Sequence, residues 1–153
     1  MALAFTRQIE PTAAGPSEAA AQGEHNLEVA VVFTSAAATR VALRRAAVLA
    51  QSLSARIALL VPQIVPYPLP LETPPVLLDF SEQRLREIAA GSPVRTGVHI
   101  YLCRDRLETL RAVLPPRSIV VVGGAKRWWP GSDKRLARQL RRAGHEVIFT
   151  ETE

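Results

Sequence analysis

Apolar and polar positions change period several times along the chain. Leu27-Glu28-Val29-Ala30-Val31-Val32-Phe33 is almost continuously apolar, which predicts a buried strand. Thr34-Ser35 then supplies a turn and a helix N-cap. Residues 36–54 predict a long helix in which Val41, Val48 and Leu49 keep the helical period and alanines fill close-packed positions. Residues 55–61 read as a second strand. Pro62, Pro66, Pro68, Pro70, Pro74 and Pro75 follow within fourteen residues, a density that neither a helix nor a central strand tolerates, so residues 62–75 are expected to be extended. A second helix is predicted over 76–90, ended by Gly91 and Pro93.

The alternation Val98, Ile100, Leu102 against His99, Tyr101, Cys103 predicts a third strand over 94–103. Asp105 with Glu108 three residues on has the form of a capping box for a short helix, which Pro115-Pro116 stops. Ser118-Ile119-Val120-Val121-Val122 predicts a fully buried fourth strand, broken at Gly123-Gly124. A last helix over 133–143, closed by Gly144, leads to a final strand over 145–150. Strands alternating with helices imply an α/β fold: a single-domain three-layer α/β/α sandwich around a five-stranded, mostly parallel sheet. Ligands of such sheets bind outside the carboxyl ends of the strands, where the strand order reverses. Residues 1–25 lack an apolar period and are expected to form a flexible tail, which leaves 26–153 as the domain.

Composition narrows the class. The chain has 153 residues, 48% of them hydrophobic and 22% charged, as in ordinary globular proteins. The single cysteine, Cys103, excludes an internal disulfide and a cysteine-cluster metal site. Apolar runs fall short of a membrane span. Residues 1–5 do not have the form of a signal peptide, and the acids Glu10, Glu18, Glu24 and Glu28 argue against a transit peptide, so a cytoplasmic location is expected. No GxSxG, Walker or HExxH pattern occurs, and no histidine stands at metal-ligand spacing to another His or Cys. Asp79, Asp105 and Asp133 stand where helix caps account for them, and Cys103 reads as a buried structural thiol. The expectation is a protein that is not an enzyme.

Charge is uneven. The net charge is +5, but residues 104–142 alone hold eleven Lys or Arg against three acids. Within that stretch Lys126-Arg127-Trp128-Trp129, Lys134, Arg135 and Arg138 form a candidate basic and aromatic patch, suited to a nucleotide, a nucleic acid or an acidic partner. The plainer reading is a solvated helix face. Arg104 and Arg106 follow the third strand and have the fork geometry to hold a phosphate or carboxylate.

Residues 26–153 resemble the universal stress protein family, whose fold is adenine nucleotide alpha hydrolase-like. The resemblance is carried by Val32-Phe33-Thr34-Ser35 before an Ala-rich helix, and by Val120-Val121-Val122-Gly123-Gly124, a basic loop and Gly131-Ser132 before the last helix and strand. It implies a stress-response or regulatory role and a homodimer, formed through the last strand if that strand lies at a sheet edge. Some members bind ATP on a glycine-rich turn and the N-terminus of the last helix. The corresponding nucleotide or anion site here is Thr34, Ser35, Pro62, Arg104, Arg106, Gly123, Gly124, Gly131 and Ser132. Three features depart from the family pattern. Gly123 and Gly124 are adjacent instead of separated, six residues separate Gly124 from Gly131, and Phe33 stands where the nucleotide binders carry an Asp. The reading is therefore a non-enzymatic protein of universal-stress-protein type with a degenerate ATP site. The alternatives are a nucleotide binder with a remodelled loop, and a basic module that binds nucleic acid or an acidic partner through residues 126–142.

Overall fold

The structure, a computed structural model, describes residues 5–9, 27–65, 78–126 and 131–152. In chain order the elements are β1 (Phe5–Ile9), β2 (Glu28–Val32), α1 (Ala36–Leu53), β3 (Arg56–Ile64), α2 (Leu78–Ala90), β4 (Thr96–Cys103), α3 (Arg106–Val113), β5 (Ile119–Ala125), α4 (Ser132–Arg142) and β6 (Glu146–Thr152). The sheet order is β1-β4-β3-β2-β5-β6, with β2 to β6 parallel and β1 antiparallel. The order reverses between β2 and β5, so the switch point lies where those two strands end.

Alternation along each strand sends side chains to two layers. Val29 and Val31 of β2, Ile57, Leu59 and Val61 of β3 and Val121 of β5 pack beneath α1 and α2. Ala30 and Val32, Ala58 and Leu60, and Val120 and Val122 pack beneath α3 and α4, with Leu110, Leu136 and Leu140. The α1 side is narrow because the buried face of that helix includes Ala38, Ala42, Ala46, Ala47 and Ala50. Small side chains let the helix axis sit close to the sheet, so the loops at its start are held tightly over the strand ends. Two helix starts follow the expected caps, while α4 does not: its N-cap is Gly131, and Asp133 lies within its first turn. Ser35 accepts from the Ala38 N–H at 3.2 Å, and Asp105 accepts from the Glu108 N–H at 2.9 Å. Gly144 adopts φ +99°, the left-handed turn that lets the chain leave α4 for β6.

Three expectations are corrected. The stretch read as a tail contributes a strand: β1 pairs with β4 from Phe5 opposite Leu102 to Ile9 opposite Val98. Such a strand forms on long-range pairing with an otherwise open edge, and five residues carry no period of their own. The other residues of that stretch, 1–4 and 10–25, lie outside the described residues. Secondly, β3 continues through Pro62 to Ile64. Leu60 bonds toward β2, where its carbonyl accepts from the Phe33 N–H. Pro62, two residues on, turns its missing donor to the same side, beyond the end of β2, so the ladder loses nothing. The rest of the proline-rich segment, 66–77, lies outside the described residues. Thirdly, Gly123-Gly124 does not break the fourth parallel strand, because β5 runs on to Ala125.

Leu59 is fully buried at the centre of the sheet, whereas Ile64 at the end of the same strand is 43% exposed. Leu59→Ala should therefore cost about 2–5 kcal/mol, and Ile64→Ala well below that range. Urea denaturation of the two variants measures the contrast.

Candidate functional site

The carboxyl ends of β2, β3 and β4 open into a cleft of about 910 Å³. Phe33 and Thr34 come from the end of β2, Val61 to Ile64 from β3, and Arg104, Asp105 and Arg106 from the turn after β4. Arg84 and Leu85 of α2 and Ser132 at the start of α4 complete the lining. One wall is apolar, while three arginines face one carboxylate. That carboxylate, Asp105, is already used as the α3 cap. Arg106 is itself paired with Asp133, so the lining joins an apolar wall to a cationic rim that is partly neutralised.

Of the nine residues expected to form a nucleotide or anion site, Thr34, Pro62, Arg104, Arg106 and Ser132 line this cleft. Arg104 donates from Nη1 to the Val65 carbonyl at 2.8 Å, which ties the end of β3 to the turn after β4. Arg106 bridges two helix starts. Its Nη1 donates to Asp133 Oδ1 at 3.1 Å, and its Nη2 donates to the Ser132 carbonyl at 3.1 Å. A carboxylate in the first turn already answers the positive end of α4. Ser35 serves as the α1 cap, and Gly131 occupies the α4 N-cap position without a side-chain bond.

The glycine pair is occupied by packing. Gly123 and Gly124 lie in the β5–β6 ladder opposite Thr150 and Glu151. They face opposite layers. A Cβ on Gly123 would lie 2.3 Å from the Ala38 carbonyl oxygen of α1, and one on Gly124 would lie 2.5 Å from Cζ of Phe149. At 123 glycine lets the helix backbone approach the strand, whereas at 124 the neighbour is the tip of a ring that can turn. The Thr34 hydroxyl also donates to the Gly123 carbonyl at 2.6 Å, while the Thr34 N–H donates to Thr39 Oγ1 at 3.2 Å. Both glycines therefore belong to the strand ladder, with the Cβ side of each already filled.

The expected basic and aromatic patch is only partly described, because Arg127, Trp128 and Trp129 lie outside the described residues. Lys126 is exposed. Lys134 is held by Glu151 at 2.9 Å and lies 5.8 Å above the Phe149 ring. Arg135 and Arg138 are exposed on the outer side of α4.

Two groups with possible chemistry are committed to structure. Burial pushes the Cys103 thiol up from its ordinary value, with Asp105 adding to the rise and a bond from Thr109 opposing it. Its Sγ faces the Gln63 carbonyl at 3.9 Å. The buried His145 accepts the Ser118 N–H on Nδ1 at 3.1 Å, joining the turn before β5 to the start of β6. Among the described residues no group of three His, Cys, Asp or Glu is placed to hold a metal ion.

One solved structure provides a likeness. The universal stress protein from Archaeoglobus fulgidus superposes with a TM-score of 0.53 at 15% identity, covering 85% of this chain and 97% of that one. The fold is universal-stress-protein-like. No protein-family model matches the chain, and no curated protein does. Identity at this level speaks for the fold alone. The universal-stress-protein-like frame accounts for the location of the cleft. It does not account for Arg84, which the sequence did not single out, because no spacing links α2 to the turns after the strands.

Thr34→Val tests the tie across the switch point. Removing the hydroxyl strips the Gly123 carbonyl of its 2.6 Å donor, and the loss should cost about 1–3 kcal/mol. Chemical denaturation of the variant against the parent measures it.

Proposed function

We propose that this chain is a non-enzymatic regulatory or stress-response protein of universal-stress-protein type whose nucleotide site is degenerate. The observation that carries this reading is the glycine pair. Both glycines lie in the β5–β6 ladder instead of an open turn, with the α1 backbone against the Cβ side of Gly123 and Phe149 against that of Gly124. Phe33 at the end of β2 and the Arg106 clamp on the first turn of α4 support the same reading. The non-enzymatic part is supported by what the reactive groups already do, since the Cys103 thiol is kept protonated by burial and His145 spends Nδ1 on a backbone N–H.

The reading extends to a cytoplasmic homodimer. β6 is the outermost parallel strand, and among the described residues it pairs only with β5, so its other edge is the natural place for a second copy. Among the described residues no helix is long and apolar enough to cross a membrane. A second reading, a nucleotide held without a glycine cradle, has one observation in its favour: Thr34, Pro62, Arg104, Arg106 and Ser132 all line one cleft.

Titration with ATP and with AMP separates the two, followed by calorimetry and by the fluorescence of Trp128 and Trp129, the two tryptophans of the chain. The degenerate site predicts no saturable ATP binding tighter than a Kd of about 1 mM. Saturable binding that survives high salt would replace it with the second reading.

A further inference from the structure

We propose that the outer face of α4 is a docking surface for the phosphate backbone of nucleic acid, read without regard to base sequence. α4 carries five cations and one acid. Its acid, Asp133, is bound by Arg106, and two of the cations are also held: Lys134 by Glu151, and Arg141 on the Val147 carbonyl at 3.1 Å. Arg135, Arg138 and Arg142 differ. All three are exposed, and no hydrogen bond or ion pair holds their side chains among the described residues. They stand three and four positions apart, so they share one face and span about 10 Å along the helix axis. The exposed Arg111 lies on α3, which packs beside α4. The exposed acids Glu108, Glu146 and Glu151 of this layer stand on other elements, and Glu151 is taken by Lys134.

The chemistry of the face selects its partner. A protein interface is organised around buried apolar or aromatic anchors, but the exposed positions of α4 beside these arginines hold Gln139 and no large apolar side chain. A helix that lies in a membrane interface inserts an apolar face, yet Leu136, Ala137 and Leu140 of α4 are all buried against the sheet. A row of guanidinium forks without anchors is what sequence-independent contact with phosphates requires. This inference does not depend on the state of the nucleotide site, because the face lies on the outside of the fold and the cleft at the strand ends.

The test is fluorescence anisotropy of the full chain with a labelled 20-base-pair duplex of arbitrary sequence at 50 and 200 mM salt. Three phosphate contacts predict that affinity falls about 40-fold between those concentrations. Arg135→Gln/Arg138→Gln/Arg142→Gln should lower affinity at 50 mM salt by at least about tenfold. The control Arg40→Gln/Arg44→Gln/Arg45→Gln removes the same charge from exposed positions of α1, on the opposite side of the sheet, and should change affinity by less than about threefold. Should the α4 triple variant melt early, Arg138→Gln alone serves, and it should reduce the salt slope by about one unit. The proposal is overturned by no binding at 50 mM salt, by equal losses in the two triple variants, or by polyglutamate displacing the duplex at equal charge concentration.

Discussion

The close approach of α1 to the middle of the sheet governs the rest of this molecule. It is possible because one side of the contact is alanine and the other is glycine. Ala38, Ala42, Ala46 and Ala50 bring the helix down onto β2 and β5, and at its first turn the Ala38 carbonyl occupies the space that a side chain at Gly123 would need. The Thr34 hydroxyl closes the same junction by donating to the Gly123 carbonyl. The point where the strand order reverses, open in sheets that bind a ligand there, is thus tightened between β2 and β5. Free volume lies to one side, over β3 and β4, where Arg84, Arg104 and Arg106 border an apolar wall.

This displacement is the physical basis for proposing a degenerate site on a universal-stress-protein-like fold. Gly123 and Gly124 belong to β5 and to its ladder with β6. The first turn of α4, the natural anion seat, is given instead to Asp133 and the Arg106 fork. The outer face of α4 carries further positive charge outside the cleft.

Much of the fold was legible because its signals are local. The apolar run Val29–Val32 (β-branched except for Ala30), the caps Ser35 and Asp105, and the glycines after α2 and α4 each specify an element within a few residues. Signals that depend on distant partners were misread. Gly123-Gly124 looks like a strand end, because glycine in a strand weakens it, unless one knows that α1 and Phe149 arrive on opposite sides. Pro62 looks like a breaker unless one knows that β2 has already ended beside it. Phe5–Ile9 has no pattern until β4 offers an edge. The site was half legible for the same reason. The turns after each strand could be named from the element order, whereas Arg84 enters only through the packing of α2.

The central claim is that glycine stands at 123 for the sake of a backbone contact, and one comparison tests it most directly. Gly123→Ala should lower stability by about 1–3 kcal/mol or more, since the neighbour is a helix backbone and cannot swing aside. Gly131→Ala, with nothing within 4 Å of the added methyl, should cost no more than the modest difference between Gly and Ala at an N-cap. Equal and small losses for the two variants in urea denaturation, with Gly123→Ala instead weakening a measurable affinity for ATP, would contradict the account and return Gly123 to a phosphate site.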